Sequence, residues 1–174
     1  MKNVFLKKMA ITVIAAVLMN AAAFAQQKGD MAAGGNLLIG TGNNYTNLGI
    51  GAKFYYNVTN PVRLLGEFDA FFKSSNTSMW DLSVYGHYLF PIAEQIRLYP
   101  SVGLGLLGST VTYLAPMGSN ATGTYSDSFS DFALSLGGGV DYDLTANLIL
   151  TGELRFKIND GSRLYIVAGL AYKF

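Results

Sequence analysis

The sequence predicts an all-β protein, an eight-stranded antiparallel up-and-down transmembrane β-barrel. Apolar and polar residues alternate with a period of two in eight segments, which is the pattern of strands that each present one apolar face. No stretch after residue 25 is continuously apolar over the roughly 20 residues that a membrane-spanning helix needs. The chain also combines 20 Gly, 11 Tyr and 11 Phe with only 13% charged residues. A membrane protein of this kind pairs its backbone groups by closing into a barrel.

The first 25 residues predict a cleaved export signal. A lysine-rich start precedes an apolar run over residues 10–19, and Ala23 and Ala25 then form a small-x-small cleavage site. The apolar run is shorter than the roughly 20 residues that an anchoring helix needs. We therefore expect a Sec-type signal peptide at 1–25 and a barrel domain at 26–174.

Composition limits the classes of partner and cofactor. Loss of three lysines with the signal peptide leaves nine of the 12 basic residues against 11 acidic residues, a net charge near −2. A nucleic-acid partner is not expected, because the sequence has no basic patch to neutralise phosphates. The chain has no cysteine, which excludes a disulfide framework and a thiolate metal site. We expect no metal and no other cofactor.

The first three predicted strands establish the alternation. Strand one, 31–40, is the weakest because Asn36 and several glycines interrupt the pattern, and the Gly and Asn content of 41–47 predicts a loop. Strands two and three, 48–58 and 62–73, each have one wholly apolar face. Charged residues lie on their opposite faces: Lys53, Arg63, Glu67, Asp69 and Lys73.

The fourth predicted strand, 79–90, carries aromatic residues near both ends of its apolar face. Trp80 lies at one end and Tyr88 with Phe90 at the other, eight to ten residues away. On a strand tilted by roughly 40°, this separation is about 20–25 Å, the spacing of the two aromatic girdles of a membrane barrel. A turn at 91–95 follows.

The fifth and sixth strands flank the longest predicted connection. Strand five, 96–112, contains Pro100, which lacks a backbone donor and indicates a bulge or a position at the membrane edge. The Gly, Ser, Asn and Thr content from Ala115 to Asp127 predicts a loop. Strand six then covers 131–143.

The last two strands, 148–159 and 163–174, are joined by a tight hairpin at 160–162. Every second residue from Leu164 to Phe174 is apolar, whereas the alternate residues are small, polar or charged. An even number of strands places both termini on the same side, which we expect to be the periplasm. The longest loop then falls on the outer side, where such barrels usually have theirs.

A soluble eight-stranded barrel of the lipocalin type is the alternative fold, with its apolar faces turned inward. Against it, the apolar faces are long, capped by aromatic residues and free of charge on seven strands. The opposite faces contain Gly103, Gly105, Gly137 and Gly139, which suit a crowded, narrow lumen. The sequence therefore favours a transmembrane barrel with its polar faces inward.

The cleavage site, the eight alternating segments and the C-terminal pattern Gly169-x-x-Tyr172-x-Phe174 together resemble the small outer-membrane β-barrels typified by OmpX and the barrel domain of OmpA. The resemblance implies that the C-terminal pattern is the signal read by the barrel-assembly machinery. It also implies contact with the lipid and lipopolysaccharide of a bacterial outer membrane. Val167 departs from the pattern, because a polar residue is usual at that position.

The one histidine, His87, lies on the polar face of strand four with Ser83 and Asp81. Serine, histidine and an acid together are typical of a hydrolase. However, residues i and i+4 of one strand are about 13 Å apart, so Ser83 cannot serve His87 directly. We predict no catalytic residue and interpret His87 as a polar residue of the lumen.

Charged residues on the polar faces predict a network inside the barrel. An eight-stranded barrel is only just wide enough for its own side chains, and a buried charge is costly unless it is paired. Mixed signs on neighbouring strands therefore favour a closed, ion-paired lumen over an open channel, with Arg155 expected near Glu67 or Glu153. The residues of this predicted network are Lys53, Arg63, Glu67, Asp69, Asp81, Arg97, Asp141, Glu153 and Arg155.

These expectations favour a non-enzymatic, monomeric outer-membrane protein with a structural or surface-interaction role. Any recognition of an extracellular ligand would fall to the loop from Ala115 to Asp127. A narrow diffusion pore for small solutes or ions is the alternative function. A lipid-modifying enzyme and a soluble carrier are less favoured.

Overall fold

A computed structural model describes residues 27–42, 45–74, 77–116, 122–159 and 161–174. This part of the chain contains no helix that is long and apolar enough to cross a membrane. It is built from antiparallel strands, and the predicted signal peptide with Ala23 and Ala25 lies outside the described residues. The strands are β1 (Met31–Gly42), β2 (Tyr45–Asn57), β3 (Val62–Ser74), β4 (Thr77–Tyr88), β5 (Phe90–Ala93), β6 (Ile96–Pro116), β7 (Thr122–Asp143), β8 (Leu148–Ile158) and β9 (Arg163–Lys173).

The strands close into an eight-stranded barrel, which confirms the predicted fold class. β4 and β5 together count as one strand of the barrel, because β5 follows β4 along the same neighbouring strand, β6. The ring closes because β1 pairs with both β2 and β9, and β4 pairs with β6. Followed around the ring from Asn36, the register reaches Asp131 of β7 in one direction and Asp141 in the other, a stagger of ten residues. For eight strands, this stagger tilts each strand by about 40° and leaves a narrow lumen.

The apolar faces point outward. On β3, Leu64 and Phe68 are exposed while Arg63 and Glu67 are buried, and the same alternation holds along the other strands of the barrel. A lipocalin-type barrel would bury the first pair and expose the second. The structure therefore has the orientation that the sequence predicts for a transmembrane barrel.

Aromatic side chains form two girdles on the outer surface. One lies at the end where the termini meet, here called the terminal end, and the other lies at the opposite end, here called the rim. Such girdles mark the two interfaces of a membrane. At the terminal end they are Tyr56, Tyr88, Phe90, Tyr142, Tyr172 and Phe174, and near the rim they are Phe72, Trp80, Phe132 and Phe156.

The longest predicted loop is mostly strand, which corrects the sequence reading. β6 and β7 remain paired through Val111↔Asp127, Tyr113↔Tyr125 and Pro116↔Thr122. Their Thr and Tyr residues suit an extended ladder, which outweighs the loop-like content of Gly and Ser. Residues 117–121, between the two strands, lie outside the described residues.

Strand pairing also extends into two other segments that the sequence predicts as a loop and a turn. Within 41–47, Thr41↔Thr46 and Gly42↔Tyr45 are paired, so strand pairing takes up most of the predicted loop. The predicted turn at 91–95 is partly β5. In both places the neighbouring strand supplies backbone partners, and this overrides the turn preferences of single residues.

Pro100 causes no bulge against β7, where Tyr99↔Gly139 and Pro100↔Gly138 follow in register. On the other side of β6, pairing with β4 stops at Ser101 and resumes at Leu98 with β5. The missing proline donor thus coincides with the break between β4 and β5, close to the terminal girdle.

Candidate functional site

The lumen holds the charged residues that the sequence places on the polar strand faces. Because side chains alternate across a strand, a face opposite the lipid is directed into the barrel. All nine residues of the predicted network have 7% or less of their surface exposed. They are Lys53, Arg63, Glu67, Asp69, Asp81, Arg97, Asp141, Glu153 and Arg155.

Arg155 of β8 lies between two carboxylates. Its Nη1 and Nη2 are 2.5 and 3.0 Å from Oε1 and Oε2 of Glu67 on β3, and its Nε is 2.6 Å from Glu153 Oε2. Asn36 donates to Glu67 (2.7 Å), and Tyr99 donates to Glu153 (2.8 Å). A guanidinium held in this two-pronged way is fixed in direction as well as charge.

Further polar contacts cross the lumen between strands that are not neighbours. Arg63 Nη1 of β3 is 2.5 Å from Asp141 Oδ2 of β7. Lys53 of β2 donates to Thr151 of β8 at 2.6 Å. These contacts join strands on opposite parts of the barrel wall.

Lys157 adds a pair that the sequence analysis left out of its network. It forms an ion pair with Asp81 of β4 and lies 3.2 Å from Ser83 Oγ. Its position on the polar face of β8 was the available signal, because it alternates in step with Glu153 and Arg155. Its partner on β4 depends on the stagger of the barrel, which alternation does not reveal.

Tyrosine rings pack against the buried guanidinium groups. The Cζ atom of Arg155 lies 4.2 Å from the ring centre of Tyr85, and that of Arg63 lies 4.2 Å from the ring centre of Tyr55. A cation over an aromatic face is attracted by the ring, more strongly when both are shielded from water. These tyrosines were not singled out from the sequence, since tyrosine occurs on both strand faces.

His87 belongs to this packing and does not form a catalytic triad. Its ring stacks on Tyr99 with centres 4.5 Å apart, and Arg63 Nη2 donates to its Nδ1 at 3.0 Å. Ser83 instead donates to Asp81. The serine and the histidine therefore have different partners, and neither activates the other as a nucleophile.

Two members of the predicted network form no ion pair with any described residue: Lys53, which donates to Thr151, and Asp69, whose carboxylate is buried beside Gly51. Arg97 lies at the terminal end and binds Asp143 through two contacts of 2.5 Å. Seven of the nine residues of the predicted network are thus in ion pairs among the described residues.

Apolar side chains form two buried groups among the charges of the lumen. Near the rim, the buried group is Leu38, Phe71, Tyr165 and Val167, with Met79 packed against it. Toward the terminal end, the buried group is Ala32, Tyr55, Leu65, Tyr85 and Ala171. A cavity beside Tyr55 and Arg63 has a volume of about 10 Å³, which is the space of about one water molecule.

The predicted assembly-signal residues are divided between the two faces of β9. Tyr172 and Phe174 point outward with 57% and 66% exposure. Gly169 points into the lumen, where an added Cβ would meet the side-chain ends of Asn36, Lys53 and Thr151. The polar ends of these three side chains therefore occupy the space that a side chain at position 169 would fill.

At and beyond the rim, β6 and β7 continue as a paired ribbon, defined here as residues 108–116 and 122–133, of which residues 108–111 also pair with β4. Pairing of β7 with β8 begins at Leu134, and pairing of β6 with β4 ends at Val111. The two strands pair with each other up to Pro116↔Thr122. The far part of the ribbon therefore extends past the paired ends of β4 and β8.

The polarity of the strand faces reverses on this ribbon. The face continuous with the lipid-facing surface carries hydroxyl groups, with Thr110 and Ser128 3.1 Å apart and Thr112 and Ser126 3.3 Å apart. This row suits water rather than hydrocarbon, because hydroxyl groups are costly to bury in an apolar medium. On β7, this face changes from polar to apolar between Ser130 and Phe132.

The opposite face of the ribbon, here called the inner face, is aromatic and acidic. Tyr113 and Tyr125 stack with ring centres 6.1 Å apart, and Phe129 is 59% exposed. The hydroxyl group of Tyr113 donates to Asp127 Oδ2 at 3.0 Å, and this contact raises the pKa of the tyrosine. Asp131 is exposed on the same face. The sequence from 108 to 133 contains no Lys or Arg.

Comparison with known proteins agrees with this architecture. The family model described as "Outer membrane protein beta-barrel domain" matches residues 11–174. No curated protein sequence matches the chain.

Solved structures match over most of the chain. For Ail, the attachment invasion locus protein of Yersinia pestis, the TM-score is 0.58 at 20% identity, covering 85% of this chain and 100% of that chain. Neisserial surface protein A (NspA) matches with a TM-score of 0.63 at 15% identity, covering 85% and 98%. A de novo designed transmembrane β-barrel matches with a TM-score of 0.55 at 16% identity, covering 86% and 98%. At these identities the likeness is one of fold.

Proposed function

Because the chain belongs to the family of outer membrane protein beta-barrel domains, we propose that it is a non-enzymatic barrel with a structural, closed lumen and a surface-exposed interaction ribbon. The single observation that carries this proposal is the set of ion pairs that cross the lumen. Each joins strands on different parts of the ring, as Glu67 with Arg155 and Asp141 with Arg63 do. The side chains of these ion pairs occupy the space that a pore would need.

The charges of the lumen serve stability only as intact pairs. Removing one partner of a buried pair leaves an uncompensated charge, which typically costs about 3–5 kcal/mol. The stacked tyrosines add to the packing of the same groups. A channel that opened along the lumen would have to break several of these contacts together.

The ribbon is the element that offers a surface to partners. We place it outside the cell and the termini in the periplasm, with residues 1–25 removed as a signal peptide after export. The length of the ribbon supports this orientation, since loops and extensions of such barrels are longest on the outer side. In the same view, Gly169, Tyr172 and Phe174 form the signal for the assembly machinery, and the barrel surface contacts lipid and lipopolysaccharide.

The nature of the ligand is not carried over from the structural relatives. Ail has been crystallised with the heparin analogue sucrose octasulfate. In this chain the ribbon has Asp127 and Asp131 and lacks Lys and Arg from 108 to 133. A polysulfated ligand would be repelled by that face, so the ribbon does not suit recognition of sulfate groups.

Cysteine labelling on intact cells tests the orientation and exposure of the ribbon. The chain has no native cysteine, so Ser128→Cys and Glu94→Cys each provide one thiol. Ser128 lies on the ribbon, whereas Glu94 is exposed in the turn at the terminal end. A membrane-impermeant maleimide should label Ser128→Cys on intact cells and Glu94→Cys only after the outer membrane is permeabilised. The reverse pattern would overturn the proposal.

A further inference from the structure

We propose that the ribbon binds an extended basic polypeptide segment, which adds to the edge of β7 as a further strand. Its basic side chains would lie opposite Asp127 and Asp131, and an apolar side chain would lie opposite Phe129. The inference deepens the proposed interaction role and rests on it. It assigns both a place and a chemical class to the partner.

The edge of β7 is the first observation. Residues 122–133 pair with β6 on one side, whereas pairing with β8 on the other side begins only at Leu134. Among the described residues, this stretch has no second neighbour. An open strand edge presents backbone N–H and C=O groups in the spacing of a β-ladder, which an extended peptide can complete.

The order of side chains on the inner face is the second observation. Tyr125, Asp127, Phe129 and Asp131 follow one another at every second residue of β7 and are exposed. A strand added beside them would place its own side chains about 4.5–5.5 Å from these, residue against residue. The opposite face of the same edge is lined by the small hydroxyl groups of Ser126 and Ser128, which accept many side chains.

The charge of the ribbon selects the partner. Carboxylates and aromatic ring faces both attract cations, and here they alternate on one strand. The ribbon contains no basic residue to neutralise Asp127 or Asp131. A lysine-rich or arginine-rich segment therefore fits this face, and an acidic segment or an anionic glycan does not.

The spacing predicts a recognisable pattern in the partner. Asp127 and Asp131 are separated by four residues, about 13 Å along a strand, with Phe129 between them. The complementary strand has the pattern basic-x-apolar-x-basic, with all three side chains on one face. Placing the same residues at adjacent positions would direct them to opposite faces.

Pairing between two copies of the ribbon is disfavoured by the same charges. If two β7 edges met antiparallel about Phe129, each Asp127 would lie opposite an Asp131 of the second copy. Like charges directly opposite each other destabilise a strand pair. This argues that the edge is reserved for a partner of the other sign.

Peptide binding to the intact protein in lipid nanodiscs tests the proposal. The probe is a fluorescent nonapeptide, Ser-Thr-Lys-Thr-Val-Thr-Lys-Thr-Ser, compared with the same peptide carrying Glu in place of Lys and with one carrying Lys-Lys-Val together. We expect saturable binding of the first peptide and at least tenfold weaker binding of the other two. Equal binding of all three would overturn the inference.

Variants and modified probes separate charge from edge pairing. Asp127→Asn and Asp131→Asn should each weaken binding about threefold, and the double variant about tenfold, because each removes one cross-strand charge pair. Glu94→Gln at the opposite end is the matched control and should bind like the unaltered protein. Unchanged binding by the double variant would overturn the charge assignment.

N-methylation of the probe examines the backbone contacts. A strand uses the N–H of every second residue toward one neighbour, so methylation of one alternate set should abolish binding and methylation of the other set should not. If both methylated peptides bind like the parent, strand addition is wrong. Failure of the proposed function is distinct: it would appear as unlabelled Ser128→Cys on intact cells, whatever the peptides do in nanodiscs.

Discussion

The two halves of the β6–β7 hairpin place opposite chemistries on the same pair of faces. Within the barrel, Leu104 and Leu136 point outward and Ser101 and Ser135 point inward. On the ribbon, hydroxyl groups point outward, and aromatic rings with carboxylates occupy the inner face. The backbone geometry continues unchanged from one half to the other. The surrounding medium therefore decides which residues a strand face carries, and the point of reversal marks the membrane boundary.

Buried and exposed carboxylates also differ in what they require. Glu67 and Asp141 lie in a narrow lumen and are paired with guanidinium groups across it. Asp127 and Asp131 are exposed to solvent and remain available to a partner. Stability should depend strongly on the first pair of carboxylates and hardly on the second.

The largest expected effect comes from Arg155→Ala. Glu67 and Glu153 would lose their shared counter-charge, and the free energy of unfolding should fall by about 3–5 kcal/mol. Urea titration of the barrel in lipid vesicles measures this, with the exposed Lys28→Ala as control. A variant as stable as the control would mean that the lumen charges are solvated rather than paired.

A substitution on the outer face of β6 examines the reversal itself. Leu104→Arg lies near the middle of the apolar surface and should cost about 2–4 kcal/mol, whereas arginine is tolerated outside the hydrocarbon. Thr112→Arg, on the same strand and the same face, should change the free energy of unfolding by less than about 0.5 kcal/mol. Equal costs for the two variants would place the membrane boundary elsewhere.

Gly169→Ala probes how tightly the lumen is filled. The added Cβ would overlap the polar groups around Lys53 and Thr151, and overpacking of this kind costs about 1–3 kcal/mol. The matched control is Gly66→Ala, because the Cβ position of Gly66 has nothing within 4 Å. Folding yield and urea midpoint of the two variants are the measurements, and a destabilised control with an unaffected Gly169→Ala would contradict a filled lumen.

The smallest effect should come from the ribbon. Asp127→Asn combined with Asp131→Asn removes two exposed charges and should shift the free energy of unfolding by no more than about 0.5 kcal/mol. The same double variant should bind the peptide about tenfold more weakly. A large loss of stability would indicate that these carboxylates support the fold rather than a partner.

Alternation of residue type was sufficient to predict the strand faces within the barrel, because each face there meets either lipid or the lumen. It could not predict the partners inside, since the pairing of Asp81 with Lys157 depends on the stagger between distant strands. Sequence reasoning expected Arg155 near Glu67 or Glu153 from charge and strand placement alone. The packing of Tyr85 against Arg155 had no equivalent signal.

The ribbon shows why composition misled at one place. From Ala115 to Asp127 the residues are small and polar, and such residues are common in loops. The informative signal was the alternation of Tyr125, Asp127, Phe129 and Asp131, which continues the period of two beyond the membrane. A reading confined to apolar faces ends where the lipid ends, although the strand continues.

Paired charges are proposed to close the lumen, and single-channel recording tests this closure most directly. The protein should first show the gel-mobility shift on boiling that marks a folded barrel, and then be inserted into planar lipid bilayers. We predict no stepwise conductance from the unaltered barrel. Regular opening steps would contradict the closed lumen and establish the barrel as a narrow pore.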